Sequence, residues 1–279
     1  MKYALFSGVL LCALFSCTTP ETITLGGDET NGVDVGVTSI EFSRVNKLYN
    51  EVATVVEDVV EQAEDDTSDT EASRLAARTE TTYPRITVSP FDNATFPKTI
   101  KIEFGNAGVT GVDGVTRKGT ITTVSTGWYT DFNSIHTTVF TNYHHDNNKI
   151  EGTHIVTNNG ENEDGYPQML VEVNNGRVLF EDGSVVTYTK ETTRTTVEGS
   201  NTPYNIWDNE YAINGWHRGV NSGGLNYEFT TLEDLNYVIA TRSLNDGLLN
   251  LDLDDLTGIT IDYEDYTITF NGYTYSFVD

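Results

Sequence analysis

The strongest chemical lead in this chain is a set of aromatic residues in turn and loop sequence. Trp128 and Tyr129 follow Gly127 in a turn region, and Tyr204 and Trp207 sit in the loop 199–208. Flat, amphipathic rings displayed on loops stack on the apolar faces of sugars, so Trp128, Tyr129, Tyr204 and Trp207 are the expected ligand-binding residues. The competing reading is that these large rings plug the ends of a barrel or sandwich, since rings of that size are mostly buried. Carboxylates are abundant, with 42 Asp and Glu, yet sequence alone cannot pick out a glycosidase pair among them. Asp252, Asp254 and Asp255 form the densest cluster near strands. They read either as calcium ligands or, more simply, as the wet face opposite Leu249, Leu251 and Leu253 plus a turn. His136, His144, His145, His154 and His217 do not gather into a ligand set. A two-residue turn at Asn147-Asn148 would set His154 against Thr141 and His144 against Glu151. No nucleophile elbow, zinc-binding His-Glu-x-x-His, phosphate loop or Cys-x-x-Cys occurs. The expectation is a protein without catalytic residues, metal or cofactor.

Charge narrows the partners. Lys and Arg number 16, giving a formal net charge of −26, so the basic footprint that nucleic acid requires is missing. The two cysteines, Cys12 and Cys17, both lie near the N-terminus, and no disulfide framework is available to the body of the chain. Residues 1–16 carry Lys2 and then a short apolar run, the pattern of a secretory signal peptide rather than a membrane-spanning helix. Leu14-Phe15-Ser16-Cys17 resembles the lipobox of bacterial lipoproteins, in which the cysteine thiol receives diacylglycerol. That resemblance implies a membrane partner reached through Cys17, since each buried methylene contributes about 0.8 kcal/mol to anchoring.

The elements that must position any site follow in order. Residues 17–37 are polar and glycine-bearing, as expected of a lipid anchor and tether. An amphipathic helix is predicted over 38–66, opened by a Thr38/Glu41 capping box with Val37 and Phe42 at the staple positions. Val45, Leu48, Tyr49, Val52, Val55, Val56, Val59, Val60 and Ala63 share one arc, opposite Asn46, Lys47, Asn50, Thr54, Glu57, Asp58 and Glu61. Valine is a poor helix former, so packing on a sheet is expected to hold this helix. An acidic linker is predicted over 67–82.

From 83 to 279 the period is two. Strands are expected around Ile86 and Val88 and around Ile100, Ile102 and Phe104, followed by a glycine-rich loop over 105–117. Further strands are expected at 118–125, 134–144, 149–158, 168–174, 177–181, 184–197, 209–218, 225–231, 237–241 and 248–253. Turns are predicted at Asn147-Asn148, Asn175-Gly176 and Asp182-Gly183. That register puts Val171, Val173, Val178, Phe180 and Val185 on one face, with Glu172, Glu181 and Lys190 on the other. A bulge near Gly215 is expected to return Trp216 to the apolar side. The last stretch, 259–279, is the most legible: turns at Glu264-Asp265 and Asn271-Gly272 place Ile259, Ile261, Tyr263, Tyr266, Ile268, Phe270, Tyr273, Tyr275 and Phe277 on one face. The predicted fold class is all-β, an up-and-down antiparallel curved sheet or barrel with one N-terminal amphipathic helix.

The segments Arg117-Lys118-Gly119-Thr120-Ile121, Thr141-Asn142-Tyr143, Lys149-Ile150-Glu151-Gly152-Thr153 and Val156-Thr157-Asn158-Asn159-Gly160 resemble a family of uncharacterised lipoproteins from the Bacteroidetes, over roughly 100–277. The resemblance implies an envelope address and a β fold, and brings no activity. Family members often carry a cysteine after the early Phe-Gly. Here Asn106 and Ala107 follow Phe104-Gly105, so any disulfide that such relatives form there would be absent.

Together these features lead to the expectation of a non-catalytic outer-membrane lipoprotein, on the periplasmic face or the cell surface, with a binding or structural role. Its partner would be a glycan. A second possibility is a carrier of a hydrophobic small molecule, with the helix as lid over a curved sheet. A third is a glycoside hydrolase or other enzyme without a recognisable motif.

Overall fold

The computed structural model describes residues 29–68, 83–202 and 205–276. One long helix, α1 (Glu29–Ser68), is followed by thirteen strands. These are β1 (Arg85–Ser89), β2 (Lys98–Thr110), β3 (Thr116–Ser125), β4 (Ile135–His145), β5 (Asn148–Glu161), β6 (Pro167–Leu179) and β7 (Val185–Glu198). The series continues with β8 (Glu210–Val220), β9 (Asn226–Val238), β10 (Ser243–Leu253), β11 (Leu256–Asp262), β12 (Thr267–Phe270) and β13 (Tyr273–Ser276). Every strand pairs antiparallel with its sequence neighbour, in the order β1 to β13. The sheet is strongly curved and does not close. Its two edges are short, five residues in β1 and four in β13, which limits the backbone left open to pairing with another chain.

The helix lies along the concave face and is wrapped on nearly all sides. Between residues 32 and 64 only Val37, Ser43 and Lys47 are exposed. Val45, Tyr49, Val52, Val56, Val59, Val60 and Ala63 are buried, as the arc predicts, but so are Asn46, Thr54 and Glu57 from the face expected to be wet. Phe42 stacks on Phe229, ring centroids 3.9 Å apart, and Tyr49 stacks on Tyr188 at 5.1 Å.

The curvature has a visible source. Gly105, Gly119, Asn142, Gly152 and Asn175 all have positive φ, and each coincides with a break in pairing register on β2 to β6. These bulges lie side by side and form a crease, since a bulge bends its strand and increases the local twist. At Gly152 φ is +112°, a backbone conformation essentially reserved for glycine. The helix closes this crease with one hydroxyl. Tyr49 donates to the Glu151 carbonyl at 2.6 Å and accepts from the Arg177 backbone N–H at 3.1 Å. It thereby satisfies two groups next to the bulge.

Several expectations need correction. α1 starts at Glu29, so residues 29–37 belong to the helix rather than to a tether. Thr38 is a mid-helix residue whose hydroxyl donates to the Asp34 carbonyl at 2.7 Å and accepts from the Asn221 amide at 2.8 Å. Glu41 accepts from the Ser222 N–H at 3.0 Å. The supposed capping box instead holds the turn between β8 and β9. Residues 105–110 continue β2 through bulges, and the turn spans only 111–115. Asn175-Gly176 is a bulge inside one continuous β6, and the strands expected at 225–231 and 237–241 are parts of one bulged β9 that ends at Val238, residues 239–242 forming the turn to β10.

The β4–β5 turn is at Asp146-Asn147, which moves the register and sets His144 opposite Lys149 and His154 opposite Thr138. Val186 rather than Val185 is buried opposite Val178, and Lys190 points inward. At Gly215 the strand pair shifts register, yet Trp216 stays outward under Arg218 and His217 is the buried residue. The C-terminal register is as predicted: Ile261 pairs with Ile268 and Ile268 with Tyr275. Ile259, Ile261, Tyr263, Ile268 and Phe270 are buried, while Tyr273, on the outermost strand, is exposed. Phe277 lies outside the described residues.

Removing the Tyr49 hydroxyl strands a carbonyl and an N–H in a dry interface. Tyr49→Phe is expected to lower unfolding free energy by about 1–3 kcal/mol, read as a fall in denaturant midpoint at unchanged slope. Gly176→Ala should cost more, because a β-carbon there would overlap the Tyr188 carbonyl and the Tyr49 hydroxyl. Unchanged midpoints for both would show that the crease does not depend on this contact.

Candidate functional site

The C-terminal half of α1 does not seal the concave face completely. A cleft of about 350 Å³ opens there, within the size range of small-molecule sites. Its wall comprises Glu57 and Glu61 from α1, Arg194 and Thr196 from β7, Asn158 and Gly160 from β5, and Met169 from β6, with Tyr129, Thr130 and Phe132 from the β3–β4 connection. Residues of the 199–209 loop, Asn205 and Asn209 among them, close the other side.

At the floor Glu57 and Arg194 form a two-pronged ion pair. Nη1 donates to Oε2 and Nη2 to Oε1, each at 2.8 Å. The Tyr211 hydroxyl donates to Glu57 Oε1 at 3.4 Å, and the guanidinium lies over the Tyr211 ring at 4.2 Å. Burial pushes the Arg194 pKa down, but the Glu57 carboxylate outweighs it and raises it above the usual arginine value. A fork-on-fork pair of this kind fixes both side chains and leaves little of either free for chemistry. One turn along, Glu61 has no such cation. Burial, reinforced by the Glu57 carboxylate, pushes its pKa up to about 8.

Asn158 sets the rim. Its amide N–H donates to the Tyr129 carbonyl at 2.6 Å, and its side-chain oxygen accepts from the Gly160 N–H at 2.7 Å. This pins the β3–β4 connection to β5. The ring of Phe132 then lies against Gly160, where a β-carbon would come within 3.1 Å of it. Phe132 remains 67 % exposed, a large ring held in the open at the mouth of a cleft.

The aromatic residues expected to bind sugar are dispersed. Trp128 is only 6 % exposed. Its indole N–H donates to Asn93, to the carbonyl at 3.3 Å and to Oδ1 at 3.1 Å, and its ring meets Phe96 edge-on. Here the plugging alternative describes the residue better. Tyr129 is also buried, stacked on His136 with centroids 3.9 Å apart, and it lines the cleft from below. Trp207 is 42 % exposed, in a single 3-10 turn (Ile206–Asp208), with Arg242 6.0 Å from its ring; it does not line the cleft. Tyr204 and Cys17 lie outside the described residues. Phe132 was missed because nothing in its local sequence distinguishes a displayed ring from a packed one; the Gly160 that makes room for it is on a different strand.

The histidines and acids resolve into structural roles. His136 sits between the hydroxyls of Ser125 at 2.9 Å and Ser134 at 3.2 Å, and burial pushes its pKa down to about 4. His145 contacts Glu51 at 2.7 Å, and His217 contacts the Tyr188 hydroxyl at 2.7 Å. Asp254 accepts from the Asn226 backbone N–H at 3.0 Å and side chain at 2.9 Å, tying two turns together. Among the described residues, no three His, Cys, Asp or Glu side chains converge as a metal site would require.

Glu61 makes the fold sensitive to pH in a defined direction. Its carboxyl keeps its proton in the folded chain up to about pH 8, whereas the unfolded chain releases it near the ordinary glutamate value. Stability therefore falls as pH rises between those two values. Relative to Glu61→Gln, the native chain should lose thermal stability progressively from pH 5 to pH 8 and no further above pH 9. A difference that stays flat across that range would place Glu61 in open water.

No protein-family model, no curated protein and no solved structure matches the chain.

Proposed function

We propose that this chain is a non-catalytic binding lipoprotein of the bacterial envelope, attached to the outer membrane through Cys17, whose cleft at the end of α1 holds a neutral, sugar-like ligand. The observation that carries the ligand class is the exposed Phe132 ring at the mouth of a cleft rich in amides and hydroxyls: Asn158, Asn205, Asn209, Thr130, Thr196, Ser200 and Thr202. An apolar ring face beside several hydrogen-bonding groups matches a sugar, which has one apolar face and a hydroxyl periphery. The glycan expectation thus shifts from Trp128 and Trp207 to Phe132. The address rests on the lipobox-like Leu14-Phe15-Ser16-Cys17 and on the resemblance to Bacteroidetes lipoproteins. Among the described residues no helix is long and apolar enough to cross a membrane. A hydrophobic cargo under α1 is less well supported, because the free volume left behind the cleft is about 20 Å³, the room of a water molecule.

A second reading draws support from Glu57 and Glu61. Residues four apart on a helix have β-carbons about 5–6 Å apart, and a protonated carboxyl beside an ionised one is the arrangement glycoside hydrolases use. Against it, both oxygens of Glu57 are taken by Arg194.

Calorimetric titration of a purified Cys17→Ser chain with a panel of soluble oligosaccharides should find a binder. Phe132→Ala should weaken that binding by about tenfold or more, with the melting temperature unchanged. Absence of any saccharide binding would dispose of the ligand class. Release of new reducing ends in the same mixtures, abolished by Glu61→Gln, would instead establish the hydrolase. In cells fed radiolabelled palmitate, the native chain should take up label and Cys17→Ala should not; equal labelling of both would remove the anchor.

A further inference from the structure

Behind the cleft, and sharing Glu57, Tyr129 and Arg194 with it, lies a small inner cavity between α1 and the sheet with a free volume of about 20 Å³. Several hydrogen-bond donors stand in a wall otherwise lined by Ala53, Val156, Val171 and Ile213. Lys190 of β7, 4 % exposed, projects into it, and its ammonium makes one hydrogen bond, to Asn50 Oδ1 at 3.3 Å. No carboxylate among the described residues comes within 4.0 Å of that nitrogen. Tyr237 of β9, 5 % exposed, lines the same space with a buried hydroxyl that has no partner. Arg194 lines it too, and its Nε is likewise unpartnered. His154 completes the wall.

Charge and hydrogen bonding point the same way. Two cations border the cavity, and the one carboxylate there, Glu57, is already held by Arg194 through both oxygens. A buried ammonium without a counter-charge carries an unrecovered desolvation cost. A water molecule answers this poorly, because it brings no charge to offset that of the ammonium. A spherical anion accepts from every direction and donates nothing. We propose that this inner cavity is a binding site for a small monovalent anion of the halide class, held by the Lys190 ammonium and the Tyr237 hydroxyl.

The surroundings agree. Burial and the neighbouring Arg194 push the Lys190 pKa down to about 7, while burial and the two cations push that of His154 down to about 3. The site as it stands is thus short of negative charge. The available volume excludes sulfate, phosphate and organic acids but accommodates a monatomic ion. The proposal does not depend on what occupies the outer cleft.

The test is thermal unfolding of the full chain at pH 6, with sodium chloride exchanged for sodium gluconate at constant ionic strength. A saturable rise in melting temperature with chloride or bromide, and none with gluconate, is expected, as ligand linkage requires. Lys190→Met should unfold at a melting temperature that no longer responds to chloride. Tyr237→Phe, which removes only the hydroxyl, should keep the response with about tenfold weaker affinity. Equal melting temperatures of the native chain in the two salts, or an equal chloride response in Lys190→Met, would overturn the proposal. Should Lys190→Met fail to fold, the Tyr237→Phe titration and a bromide-soaked crystal decide. An anomalous peak in the cavity sustains the site; a water there, or unchanged affinity, removes it.

Discussion

Everything in this fold depends on a long helix finding partners for its polar groups inside a curved sheet. A helix lying on a flat sheet can turn its polar face to water. Here the sheet bends around it, and the bend is made by bulges that leave backbone groups without ladder partners. Tyr49 answers both needs at once, filling the crease with its ring and pairing the stranded groups with its hydroxyl. Curvature and helix docking are therefore one constraint, because neither the crease without the hydroxyl nor the hydroxyl without the crease is satisfied.

The same logic explains the polar ladder along α1. Asn46, Asn50, Glu51, Glu57 and Glu64 meet Tyr188, Lys190, His145, Arg194 and Thr130 on the sheet and its connections. A strongly acidic chain has thus placed several of its few basic side chains where acids from the helix need them. Such contacts add less to stability than apolar packing of the same volume, but they fix where along the sheet the helix rests. That positioning brings Glu57 and Glu61 to the open end and leaves Lys190 in a pocket without a counter-charge.

What could be read from sequence divides along physical lines. The C-terminal meander was legible to the level of individual pairs, because the Asn271-Gly272 turn and the alternation of apolar residues specify one register. Elsewhere glycine and asparagine misled. Asn175-Gly176 carries the signature of a hairpin turn, but the same positive φ serves a bulge within a strand, and only the partner strand distinguishes them. Gly32 and Gly36 lower helix propensity in the first turns of α1, so that segment resembled a tether until the sheet's packing overrode it. Lys190 was assigned by a rule that expects charge outside; its inward aim brings its ammonium to the Asn50 amide of the helix. The cleft was invisible for the same reason: its residues come from α1, β5, β6, β7 and two loops, and no local pattern links Phe132 to Gly160.

The order of the elements along the chain has a further consequence. Each strand pairs with the next one made, so the sheet can zip up from local hairpins. The helix comes first, yet its hydrogen-bond partners on the sheet and its connections lie 66 to 183 residues further on. A valine-rich helix gains little from its own propensity, so α1 has no reason to persist until β5 to β9 have been synthesised. Assembly thus proceeds from late segments back to early ones, and the loop closure that seats α1 comes last. Final compaction is therefore reserved until the strands that seat the helix are in place.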